Sequence, residues 1–88
     1  IPKDIRVNTI NPGLVLTPDW YNTATSLGEK EGITADQYLD RLAKKLTPIG
    51  RFGTPEEIAN VVVFVASPKA SFISGACINV DGGQTISY

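Results

Sequence analysis

From Ile5 to Ile10 the chain runs Ile-Arg-Val-Asn-Thr-Ile, rich in β-branched residues, and this predicts a strand over 5–10. Asn11-Pro12-Gly13 comes next, a break that a continuing strand does not tolerate. A strand stopped in this way leaves main-chain polar groups bare at its end, a favourable place to hold a ligand. Thr17 then has the character of an N-cap with Pro18 at the first helical position, where the missing N–H removes a donor that would have no partner anyway. Trp20, Ala24 and Leu27 recur at helical spacing, and Gly28 reads as the stop, before the polar connector Glu29-Lys-Glu-Gly32.

Thr34-Ala-Asp-Gln37 has the form of a capping box, and Tyr38, Leu39, Leu42 and Leu46 place an apolar stripe on the helix it opens. Charge placement agrees: Asp36 lies in the first turn, Asp40 precedes Lys44 by four, and Lys44-Lys45 fall near the end, before Pro48. Thr54-Pro-Glu-Glu57 is a second capping box, and it decides between two readings of the apolar run beyond it. Val61 to Val65 alone would fit a buried strand, but the cap predicts a helix over 55–66. That helix is apolar almost all round, so it requires cover on more than one face. Ala76-Cys-Ile-Asn-Val80 predicts a last short strand over 76–80, ended by Asp81-Gly82-Gly83.

Two strands separated by so much helix imply a parallel crossover, and two strands are too few to stand alone. The chain also contains no methionine among its 88 residues. Together these features predict the end piece of a larger α/β sheet. A chain of this size folding alone would hide only about 60% of its unfolded surface.

Composition narrows the chemistry. Eight basic against nine acidic side chains, with no basic block, give no electrostatic footprint for nucleic acid or an anionic membrane surface. No apolar run approaches bilayer length, and no export signal opens the chain, so a cytoplasmic setting is expected. The absence of histidine removes histidine-dependent triads, and with a single cysteine it also removes a zinc cluster. Cys77, in an apolar run with nothing basic nearby, is expected to be a small buried residue. Asp81-Gly82-Gly83 lacks the other spaced oxygen ligands of a metal loop and reads as a turn.

Three blocks carry a resemblance: Arg6-Val-Asn-Thr-Ile-Asn-Pro-Gly-Leu-Val-Leu-Thr17, Pro48-Ile-Gly-Arg-Phe-Gly-Thr-Pro-Glu-Glu-Ile58 and Ile73-Ser-Gly-Ala-Cys-Ile-Asn-Val-Asp-Gly-Gly83. In this order and at this spacing they resemble the C-terminal third of the short-chain dehydrogenase/reductases. The resemblance implies an α/β fold, the C-terminal part of a Rossmann-type doubly wound parallel sheet: its last two strands, a pair of substrate-lid helices over 18–47, and one long helix. It implies that Pro12, Gly13, Val15 and Thr17 line the nicotinamide end of NAD or NADP, with Gly13 allowing close approach and Val15 offering its N–H and C=O to the carboxamide. Thr17 can cap its helix, meet the ligand, or do both. Ligands in open α/β sheets do lie beyond the carboxyl ends of the strands.

The same family carries a glycine-rich cofactor turn and a catalytic Tyr-x-x-x-Lys, and neither occurs here; Tyr21 is followed four later by Thr25, Tyr38 by Leu42, and Tyr88 is terminal. No catalytic residue and no metal ligand is therefore assigned in this chain. The expected role is the C-terminal segment of an NAD(P)-dependent oxidoreductase that interconverts a small alcohol and a ketone. The alternative is a non-catalytic assembly or binding module. Trp20, Tyr21 and Leu27 are either core residues or the inner wall of the lid, and Arg51 is expected to serve the turn before the 55–66 helix rather than to bind an anion. An open last strand beside an apolar helix needs cover, and the family commonly assembles through these two elements, so a homo-oligomer through the 55–66 helix and last strand is expected.

Overall fold

The computed structural model describes residues 4–84; Tyr88 lies outside the described residues. In chain order the elements are β1 (Thr9–Pro12), α1 (Pro18–Glu31), α2 (Ala35–Leu46), α3 (Pro55–Ala66), a short 3-10 turn (Pro68–Ala70) and β2 (Cys77–Val80). The two strands pair in parallel, Thr9 opposite Cys77 and Pro12 opposite Val80, so the expected crossover is present.

β1 sits later than the predicted 5–10 and includes Pro12. The ladder explains this. The N–H groups of Thr9 and Gly13 donate to the carbonyls of Ala76 and Val80 at 2.8 and 3.0 Å. Bonding alternates along a strand, so Pro12 presents its nitrogen to the opposite edge, where β2 asks nothing of it. Before Thr9 one backbone bond remains, from the Gly75 N–H to the Val7 carbonyl at 2.7 Å, and the other contacts pass through side chains. Asn8 accepts from the Ala76 N–H and donates to the Ile73 carbonyl, and the Val7 N–H donates to the Ser74 hydroxyl. β2 likewise begins one residue after the expected Ala76.

α1 runs past Gly28 and ends at Gly32, which takes the left-handed conformation (φ 74°) that closes a helix. Gly28 is instead an interior packing position: a Cβ there would stand 2.9 Å from the Ile33 carbonyl oxygen. The connector to α2 folds back tightly over it. Both predicted capping boxes form, Thr34 with Gln37 and Thr54 with Glu57.

The buried cluster is Ala24, Leu39, Ala43 and Phe52, with Leu14, Leu16, Trp20, Ala35, Tyr38 and Leu42 packed around it. It lies between α1 and α2 and the segment after β1, not on the sheet. Trp20 and Phe52 meet edge to face with ring centroids 5.2 Å apart. The sheet and α3 bury less by contrast, with Val65 the buried residue of α3. Val62, Val63 and Phe64 stay 47%, 68% and 48% exposed. The molecule measures 57 × 26 × 19 Å with a radius of gyration of 16.5 Å, against roughly 12 Å for a compact chain of this length.

Cys77 is exposed, which corrects the expectation of a buried residue. Along β2 the even positions Ile78 and Val80 are half-buried while Cys77 and Asn79 face outward. Asn11 bridges that outer face, donating to the Cys77 sulfur and the Asn79 side-chain oxygen. The apolar run gave no indication of which face each residue takes.

Candidate functional site

Between β1 and α1 the chain bends and makes one further backbone pairing, an isolated parallel bridge of Val15 with Gly53. The Gly53 N–H donates to the Leu14 carbonyl at 2.8 Å and the Leu16 N–H donates to the Gly53 carbonyl at 2.9 Å. These two bonds flank Val15 and engage its neighbours. Alternation then turns the N–H and C=O of Val15 itself away from Gly53, and neither is bonded to another described residue. A half-buried donor and acceptor side by side, held by the bonds on either side, can grip a planar amide.

The other sequence-predicted residues form the same continuous loop. Pro12 ends β1 and is exposed. Gly13 donates its N–H to Val80, and its lack of a side chain is demanded by the protein: a Cβ would stand 2.5 Å from the Cβ of Asp81. The loop is thus pressed against the Asp81-Gly82-Gly83 turn, in which Asp81 accepts from the Gly83 N–H. Thr17 is the N-cap of α1 by backbone geometry, but its hydroxyl makes no capping bond. Its side chain borders a surface hollow shared with Asp19, Trp20 and Thr23.

The segment that braces Val15 is organised by charge. Arg51 forms a two-pronged pair with Glu57, at 2.8 and 2.9 Å, and donates to the Phe52 carbonyl at 3.0 Å. Glu57 also accepts from the Thr54 N–H at 3.0 Å. The Arg51 guanidinium and the Thr54 N–H together lower the Glu57 carboxyl to about 2, well below the usual carboxylate range. With its fork committed to Glu57 and Phe52, Arg51 serves the turn before α3, as expected from the sequence.

Sequence reasoning missed Arg6. Its guanidinium reaches the carbonyls of Val65, Ser67, Ala70 and Ile73 at 2.9 to 3.3 Å, tying the chain before β1 to the end of α3 and the turns that follow it. An arginine in a strand-like run carries no signal of acceptors some sixty residues away. Gly53 was missed for the same reason, because its bridge to Val15 is purely a backbone matter.

The chain matches known proteins along most of its length. The profile of the family described as enoyl-(acyl carrier protein) reductase matches residues 1–85. L-sorbose reductase from Gluconobacter frateurii, solved with NADPH and L-sorbose, superposes with a TM-score of 0.85 at 49% identity, over 91% of this chain and 30% of that one. The short-chain reductase protein NovJ of Streptomyces niveus is 42% identical over 94% of this chain and 30% of its own length. A protein of Xanthobacter autotrophicus named inactive 2-(S)-hydroxypropyl-CoM dehydrogenase 2 is 46% identical over 94% of this chain and 34% of its own length. The chain therefore spans about a third or less of the relatives it matches. Among the described residues no helix is long and apolar enough to cross a membrane.

Proposed function

We propose, on the premise that this chain belongs to the short-chain dehydrogenase/reductase family, that it forms the nicotinamide-side wall of an NAD(P)-dependent oxidoreductase interconverting an alcohol and a ketone. The observation that carries this reading is the unengaged N–H and C=O of Val15, fixed by the flanking bonds of Leu14 and Leu16 to Gly53. That pair matches the donor and acceptor of a carboxamide. The uncommitted Thr17 hydroxyl at the start of α1 supplies a further polar contact to the carboxamide or a phosphate oxygen. Pro12 and Gly13 shape the approach. When bound, the nicotinamide supplies the hydride chemistry. This chain's residues bind and orient the ring, and they contain no Tyr-x-x-x-Lys to move a proton.

In this reading α1 and α2, over 18–47, cover the substrate, and the exposed Val62, Val63 and Phe64 of α3 together with β2 form the surface joined to further copies. A second reading, a binding or assembly module without catalysis, is favoured by one fact: a relative named inactive shares 46% identity across this same stretch. Likeness here therefore speaks for the scaffold rather than for turnover.

Titration of nicotinamide fluorescence in the complete protein separates the two. Val15→Pro removes one donor, and it should weaken NADH or NADPH binding by roughly fivefold, the worth of about one hydrogen bond. ADP-ribose, or its 2′-phosphate, lacks the ring and should bind as before. Equal binding of the ring-bearing cofactor by both proteins would sink the cofactor-wall reading.

A further inference from the structure

We infer that the Arg51–Glu57 pair is a positioning device for the Val15 loop, so that these two residues set how tightly the nicotinamide is held without touching it. The inference rests on the cofactor-wall reading and adds what holds that wall in place.

The route is continuous. Arg51 donates to both oxygens of Glu57 and to the Phe52 carbonyl. Glu57 takes the Thr54 N–H, and the Thr54 hydroxyl takes the Glu57 N–H at 3.1 Å. The backbone on either side of Gly53 is thereby tied to the first turn of α3. Gly53 in turn makes the two bonds that flank Val15. Phe52 anchors the same segment to the helical pair through Trp20 and is itself buried. Four consecutive residues are thus held from both sides, and the one among them without a side chain faces Val15.

Energetics favour a geometric role over a stabilising one. The side chains of Arg51 and Glu57 are 57% and 44% exposed, and a pair so exposed contributes little to folding. What distinguishes it is the planar two-pronged fit, which fixes direction as well as distance, and the commitment of each partner to a second, backbone group. A small rotation of the Gly53 peptide would lengthen one of its bonds to Leu14 or Leu16 and turn the Val15 N–H and C=O off their line. A ring gripped through two hydrogen bonds is sensitive to that angle.

Two conservative variants of the complete protein test this. Arg51→Lys keeps the charge but loses the fork, and Glu57→Gln keeps an acceptor for the Thr54 N–H, so α3 stays capped. Each should weaken binding of the preferred cofactor, NADH or NADPH, by about threefold to tenfold, of the order of one hydrogen bond made poorly. ADP-ribose, or its 2′-phosphate, should be unaffected and the melting temperature nearly unchanged. The double variant should lose little more than either single one, because both break the same fork.

Equal losses for the ring-bearing and ringless nucleotides, or no loss for either, would overturn the inference. Val15→Pro measured alongside separates the two levels. If it weakens ring binding while Arg51→Lys and Glu57→Gln do not, the positioning role fails and the cofactor wall stands. If Val15→Pro has no effect, both fall, whatever the Arg51 and Glu57 variants do.

Discussion

The paired helices α1 and α2 and the strand–helix unit of β1, β2 and α3 come from one chain of 88 residues, yet they solve the burial problem in opposite ways. The helical pair closes on itself: Ala24 and Ala43 are fully buried and Leu39 is 6% exposed. Small residues at 24, 28 and 43 let the helices and their connector approach closely, and Leu39 fills the space between. The strand–helix unit satisfies its backbone instead. Arg6 and Asn8 gather carbonyls and an N–H around the end of α3 and the start of β2, while the apolar surface of α3 is left open. The region read as a lid thus has the better core, and the strand–helix unit is the one that wants neighbours. A lid of this kind would swing as a packed body on its junctions rather than by loosening internally.

The contrast can be broken most directly by truncating one residue on each side. Leu39→Ala should cost about 2–5 kcal/mol of stability, whereas Val63→Ala, at a site 68% exposed in this chain, should stay within about 0.5 kcal/mol as long as no further copy covers α3. Denaturant unfolding monitored by circular dichroism measures both. A large loss at Val63 would show that α3 is covered, as it would be in an assembly.

A smaller effect is expected where the strand–helix unit meets the loop. Gly13→Ala drives a Cβ into Asp81, an overpacking that costs about 1–3 kcal/mol. It should also pull the loop off the Asp81 turn, which hydrogen exchange at position 13 would report. Unchanged exchange would show that the turn yields instead.

The smallest effect concerns acid. Glu57 has its carboxyl lowered from 4.5 to about 2, first by the Arg51 hydrogen bonds and then by the Thr54 N–H. Its folded value lies below its unfolded one, so whatever it contributes is fully present above about 4.5 and fades as the pH falls toward 2. Carbon-detected NMR titration should find the pair intact at about pH 4. A midpoint near 4.5 would mean that the fork is not closed in solution.

Local chemistry was the legible part of this fold. Thr34-x-x-Gln37 and Thr54-x-x-Glu57 announce their helices because a cap is a contact between near neighbours, and both form. Thr17 and Pro18 mark the start of α1 equally well, although the hydroxyl stays out of the cap. Reading failed where partners are distant. Gly28 looks like a stop from its identity alone, but the connector that crosses it needs the missing side chain. The start of β1 is set by what β2 offers, not by the β-branched run that precedes it. At the site, the loop over 12–17 was readable as a broken strand. The Gly53 bridge that aims Val15 was not, since a backbone pairing across such a distance leaves no mark on residue type.

Pro12 has a consequence for the edge of β1 that β2 does not occupy. A strand laid there would find a donor at Ile10 and only the Pro12 carbonyl two residues on, so its ladder would lose a bond just as β1 reaches its last residue. Two strands that lose a rung at their ends are freer to splay, and such an opening would lie beside the loop that carries Val15.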